Sequence, residues 1–244
     1  MTYIVLASAG GTLVIVAAVL LMRRPPRRAA PGPPVEPAGM ADLAFRRGWR
    51  SLPSIDETLR YQPAGPPADV TREIRWLWAA YHLGGNPDAA ARTGITWSYG
   101  GLAGGLPVFV GDTTISVDGL DLSRYPGGGL VVSQLPAVYG GPVRIIRRPS
   151  GLLPVGAWRS GVTAFDEWFR VDAPTPGTAT HLLNRQIVTA VAARGDWNFS
   201  VHRNWLICLL TAPFGTAGQA AETVDAVAAL ASTLPRPMRH GVGA

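Results

Sequence analysis

Tyr3–Met22 is an unbroken uncharged run, YIVLASAGGTLVIVAAVLLM, and the pattern changes sharply after it. At about 1.5 Å per residue a helix of that length reaches roughly 30 Å, the thickness of a bilayer's hydrocarbon core. Beyond it the apolar positions become periodic. Ala41–Arg50 is compatible with one short helix, and Ser54-Ile55-Asp56-Glu57 reads as a capping box opening a second short helix to Tyr61. Asp69 is the N-cap candidate of a longer helix, in which Val70, Ile74, Leu77, Trp78 and Tyr81 recur at helical spacing up to Gly84-Gly85.

From residue 94 the period shortens to two. Ile95, Trp97 and Tyr99 alternate, GGLAGG at 100–105 is expected to turn, and Leu106–Val117 continues as a strand. Leu130–Leu135 and Val143–Arg147 read as further strands, as does Phe165–Val171, with PTPG at 174–177 as its stop. Thr178–Ala193 reads as one helix with Leu183, Ile187 and Val191 on a shared face. Trp197–Val201 and Trp205–Leu210 make a hairpin around His202-Arg203-Asn204, and Thr216–Thr233 closes the fold as a helix. Strands follow one another rather than alternating singly with helices, so the fold class is α+β, with antiparallel strands packed against helices.

Charge gives the apolar run its meaning. A cleaved leader needs a basic segment before the run and a small-residue cleavage site after it. Only Met1 and Thr2 precede this one, and it ends in Leu20-Leu21-Met22. The expectation is an uncleaved transmembrane helix, Tyr3 to Met22. Arg23, Arg24, Arg27 and Arg28 follow it, and the positive-inside rule places that side in the cytoplasm, with the N-terminus outside. The expected organisation is an anchor at 1–24, a Pro/Arg-rich linker at 25–40, an α+β cytoplasmic domain at 41–235 and a flexible tail at 236–244. The formal net charge is +6, and all 22 basic residues are arginine. Four of them are the arginines beside the anchor, so the rest of the chain is only mildly basic, which argues against nucleic acid as a partner. Cys208 stands alone, which excludes an internal disulfide and a cysteine-based zinc site.

The segments GGLAGGLPVFVGD (100–112), GLVVSQLP (129–136), TAFDEWFRVDAP (163–174), the stretch 181–210 and the closing LASTLP follow the anchor and linker in this order. This arrangement resembles a group of uncharacterised actinobacterial proteins anchored by a single span. The resemblance covers roughly residues 41–235 and rests on spacing and aromatic placement. It implies a membrane-anchored domain and no particular activity. The group often carries a basic residue after the strand's glycine, where this chain has Gly105-Leu106.

Candidate chemistry is sparse. Gly100–Gly105 is followed by a strand, whereas a phosphate loop leads into a helix, so a β-turn is the expected role. His82, His181, His202 and His240 show no metal-ligand spacing, and Cys208 sits among Leu206, Ile207, Leu209 and Leu210 as a buried thiol. Arg144, Arg147 and Arg148 are expected at a solvated strand end. No catalytic residue, cofactor or metal is assigned. The leading expectation is a non-enzymatic interaction module tethered to the cytoplasmic face of the plasma membrane, held in the bilayer by residues 3–22 and binding a protein partner. One alternative is a membrane-anchored hydrolase or transferase, whose first residues to test are Asp166, Arg170 and His181. The other is an accessory subunit of a membrane complex.

Overall fold

The computed structural model describes residues 36–52, 67–82, 92–116, 125–148 and 158–236. The chain divides into units at 1–32 and 33–244, and every described residue belongs to the second. The expected span at 3–22, its arginines, the expected helix at 54–61 and all but the first residue of the expected tail therefore lie outside the described residues. Among the described residues no helix is long and apolar enough to cross a membrane.

The elements run α1 (Met40–Arg46), β1 (Arg50–Ser51), α2 (Pro67–His82), β2 (Arg92–Ala103), β3 (Leu106–Ser116), β4 (Tyr125–Gln134) and β5 (Val143–Arg147). They continue with α3 (Thr163–Trp168), β6 (Phe169–Asp172), α4 (Pro176–Leu182), α5 (Arg185–Ala192), β7 (Trp197–His202), β8 (Trp205–Leu210) and α6 (Ala217–Thr233). Among the described residues, eight strands form one antiparallel sheet in the order β1-β2-β3-β4-β8-β7-β5-β6. The last described strand, β8, joins the two halves of the sheet by pairing with β4, where Val131 faces Cys208.

Burial on both sides of the sheet follows from the alternation along its central strands. Leu206, Cys208 and Leu210 face one layer; Trp205, Ile207 and Leu209 face the other, and all six are buried. On one side α2, alone among the described helices, lays Val70, Ile74, Leu77 and Trp78 over Phe109, Leu130, Val132 and Ile146. On the other side α1 and α3 to α6 pack on Val110, Val131, Ile145 and Phe199. A strand buried on both faces loses the polar alternation of a half-exposed one, which explains the continuous WLICLL of β8.

Several expectations are corrected. The GGLAGG turn is only two residues long. Gly104 and Gly105 have φ of 56° and 79°, the backbone of a two-residue hairpin, while Gly100–Ala103 stay in β2. Gly101 lies against the Trp49 indole, which leaves no room for a Cβ, and Trp49 Nε1 donates to the Leu102 carbonyl at 3.1 Å. The expected strand at 165–171 is α3 followed by the short β6. Phe165 of α3 and Phe169, the extended residue just past its end, stack at 5.1 Å on the core side. PTPG opens a helix rather than closing a strand: Thr175 caps α4 by accepting from Thr178 N, and Pro176 occupies the first turn. The single helix expected over 178–193 is two, because Asn184 breaks it and caps α5 by accepting from Ile187 N at 3.0 Å. Asp69 lies inside α2 rather than capping it, and pairs with Arg203 at 2.8 Å. The folded unit also begins before residue 41, since Met40 is fully buried and Glu36 accepts from the Tyr99 hydroxyl at 2.8 Å.

Replacing Asn184 by Ala removes the α5 cap and lowers stability by about 1 kcal/mol, whereas Asp at that position retains it. Urea unfolding of the full chain in detergent checks both.

Candidate functional site

Two polar features inside the fold and one groove on its surface stand out, and each is built by a different part of the fold. The first fastens α2 to the sheet. Glu73, 3% exposed, lies on the helix face that meets β5 and β7. Arg144 grips it with both arms, Nε to Oε2 at 2.8 Å and Nη2 to Oε1 at 2.7 Å, and also reaches Asp172 at 3.0 Å. Ser200 donates to Glu73 at 2.9 Å, and the guanidinium lies 4.1 Å from the centre of the Trp76 ring. Burial alone would lower the Arg144 pKa, but the Glu73 and Asp172 carboxylates outweigh it and hold the group above its ordinary range. The expected solvated strand end is therefore corrected at Arg144, which is a partly buried residue paired with Glu73 and Asp172.

The second feature is Asp112 of β3, fully buried on the multi-helix side. It accepts from Trp97 Nε1 at 2.8 Å and from Phe214 N at 3.0 Å, so it ties β2 to the segment that leads into α6. Desolvation raises its pKa to about 6 against the pull of these two donors. Enclosed and doubly bonded, this carboxyl has a structural role. Cys208 is likewise sealed in the core, and burial drives its thiol well above the usual range, which removes the thiolate that nucleophilic chemistry needs.

The third feature is a groove of about 310 Å3 between α5, α6 and the end of β7. The small side chains of Ala190, Ala226 and Ala229 open it, Phe199 and Leu230 line its apolar wall, and Arg194 stands at its rim, 5.1 Å from the Trp197 ring centre. Composition at small residues gives such a groove no sequence signal until α5 and α6 are known to be neighbours.

The residues singled out for an enzymatic site are placed apart in role. Asp166 directs its carboxylate at the backbone N–H groups of Ser160 and Gly161, at 2.9 and 3.1 Å, and holds that loop. Arg170 reaches the Ala80 carbonyl at the end of α2, at 3.5 Å. His181 bonds the Arg236 carbonyl at 2.9 Å. Asp166 and Arg170 both lie within electrostatic reach of Arg148, while His181 is engaged by the C-terminal chain. Among the described residues no group of three or more His, Cys, Asp or Glu side chains is arranged to hold a metal ion.

No protein-family model and no curated protein matches this chain. Among solved structures it is similar to the crystal structure of the mycobacterial trehalose monomycolate transport factor A, TtfA, with a TM-score of 0.45 and 12% identity, covering 82% of this chain and 98% of that one. A likeness that distant is too weak to carry a function across.

Removing the Glu73 carboxylate takes from the partly buried Arg144 its two-pronged partner and leaves it Asp172, so Glu73→Ala costs about 3 kcal/mol, whereas Asp172→Ala, at a half-exposed partner, costs well under half of that. Chemical denaturation of the two variants orders them.

Asp112 predicts a pH signature. Its pKa is raised in the folded state from an ordinary value near 3.8 to about 6, so between these values the folded state binds the extra proton. The contribution of Asp112 is thus most favourable below about pH 4 and declines as pH rises to about 6, by about 3 kcal/mol in all. The stability difference between wild type and Asp112→Asn, followed from pH 4 to 7, should fall through that window and flatten above it.

Proposed function

We propose that this chain is an interaction module tethered to the membrane, and that the groove between α5 and α6 is where its protein partner docks. In this reading Tyr3–Met22 spans the bilayer with the N-terminus outside, Arg23, Arg24, Arg27 and Arg28 hold the cytoplasmic side, and the folded unit works in the cytoplasm. The sequence supports the tether through the length of the uncharged run and the one-sided arginines.

The observation that carries the binding role is the groove itself. Its apolar wall is continuous with the core through Val191, Phe199 and Leu230, and its rim is polar through Gln186, Arg194 and Thr233. An apolar floor with a cation at the edge fits an amphipathic protein segment that buries its apolar side chains and sets a carboxylate against Arg194. The engaged acids favour this reading too: buried Glu73 and Asp112 and partly buried Asp166 each hold the fold together.

Ala190 and Ala229 are exposed at the groove's edges, so large side chains there fill it from outside without disturbing the core. A photo-crosslinker placed at Ala229 of the full chain in cells should trap one protein partner, which Ala190→Trp should abolish while leaving the melting temperature unchanged. The same crosslinker at Ala164, exposed on α3, should not trap it. Protease added to intact cells should spare the folded unit. Crosslinking that survives Ala190→Trp defeats the docking site, and cleavage of the folded unit from outside defeats the topology.

A further inference from the structure

A group of arginines remains that neither the ion-pair network nor the groove uses. The β5–β6 ladder places Ile146 opposite Arg170, and Arg148 N continues that ladder to the Trp168 carbonyl at 2.7 Å. Side chains alternate along a strand, so Arg148 emerges on the same side as Ile146 and Arg170, toward the layer that contains α2. Arg159 approaches from the loop before α3, with Nη1 3.5 Å from the Asp166 carbonyl. Arg148 thus shares one side of the β5–β6 ladder with Arg170 and has the charge of Arg159 within electrostatic reach.

Their counter-charges among the described residues are insufficient. Arg148 is 8% exposed, and its Nε and Nη1 are buried without a hydrogen-bond partner. Asp166 is the carboxylate in electrostatic reach of it, but its oxygens accept from Ser160 and Gly161 and not from Arg148. Arg170 is met at 3.5 Å by the Ala80 carbonyl at the C-terminal end of α2. The segment joining β5 to this loop, residues 149–157, has the sequence PSGLLPVGA and contains no acid. Neighbouring Arg147 differs, because Asp196 lies within its electrostatic reach and Trp168 lies 5.9 Å from its guanidinium. Burial and the charge of Arg159 push the Arg148 pKa down, with Arg170 adding to the effect against Asp166, as expected of a cation held among like charges.

A buried, unpartnered cation is destabilising unless something answers it. Guanidinium forks suit the oxygens of a phosphate group, and the fork of Arg148 has two nitrogens that nothing among the described residues answers. We propose that Arg148, Arg159 and Arg170 form an anion site that takes a phosphate group, supplied either as free phosphate or by the headgroup of an anionic phospholipid. This site is separate from the groove and does not depend on it.

The full chain in detergent provides the test. Inorganic phosphate, followed by 31P NMR line broadening at constant ionic strength in chloride, probes the free source. Short-chain phosphatidylglycerol against short-chain phosphatidylcholine, followed by native mass spectrometry, probes the lipid source. Binding of phosphate, of phosphatidylglycerol over phosphatidylcholine, or of both supports the site and names its source, provided that Arg159→Gln weakens it about tenfold or more. Arg185→Gln, an exposed arginine on α5, should leave it unchanged. Arg148→Met should abolish binding and, by removing the unanswered charge, raise the melting temperature of the ligand-free protein. Binding to neither source, or binding equally strong in Arg159→Gln, overturns the proposal. A lower melting temperature in Arg148→Met together with undiminished binding overturns it as well.

Discussion

A sheet buried on both faces imposes the condition that the rest of this structure satisfies. Among the described helices five share one side, but α2 alone covers the other, so its docking must be fixed in position as well as favourable. Apolar contacts from Val70, Ile74, Leu77 and Trp78 supply attraction but tolerate sliding, since burial is not directional. The paired hydrogen bonds between Arg144 and Glu73 are directional, and with Ser200 and Asp172 they tie the helix to three strands, β5, β6 and β7. Such a buried pair adds little net stability compared with an apolar replacement, yet loss of one member is costly, which is the behaviour of a device that sets register.

Asp112 does the corresponding work on the opposite face. The segment before α6 carries a backbone N–H, at Phe214, into the core, and a buried N–H requires an acceptor. Asp112 supplies one oxygen to it and the other to the Trp97 indole, so one carboxylate satisfies two donors that would otherwise be orphaned. Its raised pKa is the cost of that position.

What could be read from the chain follows from how local each cause is. The hairpin of β7 and β8 and the helix α6 were legible because alternation, a turn and a Thr216 cap lie within a few residues of one another. The stretch 165–171 misled because Phe165, Trp168, Phe169 and Val171 offer helical and strand spacing together, and the bonds from the preceding loop to Asp166 are not visible in local pattern. The split at Asn184 was hidden because Leu183, Ile187 and Val191 keep helical spacing across the cap. The pairing of β4 with β8 and the groove beside α6 depend on contacts remote in sequence, for which no local pattern exists.

The arginines show the same limit most sharply. Arg144, Arg147 and Arg148 are nearly adjacent and chemically identical, and sequence alone treats them as one cluster. The strand separates them by direction, and the surroundings then give each a different state. Arg144 pairs with two carboxylates, Arg147 lies over Trp168 with Asp196 in electrostatic reach, and Arg148 feels the charges of two further arginines. Arg144 and Arg148 lie four residues apart, on the same side of one extended run, so their contrast does not come from the backbone. Where the fold needed a cation for its own packing it placed acids beside it. Among the described residues Arg148 has only the occupied Asp166 in reach, which marks a position that packing alone does not account for.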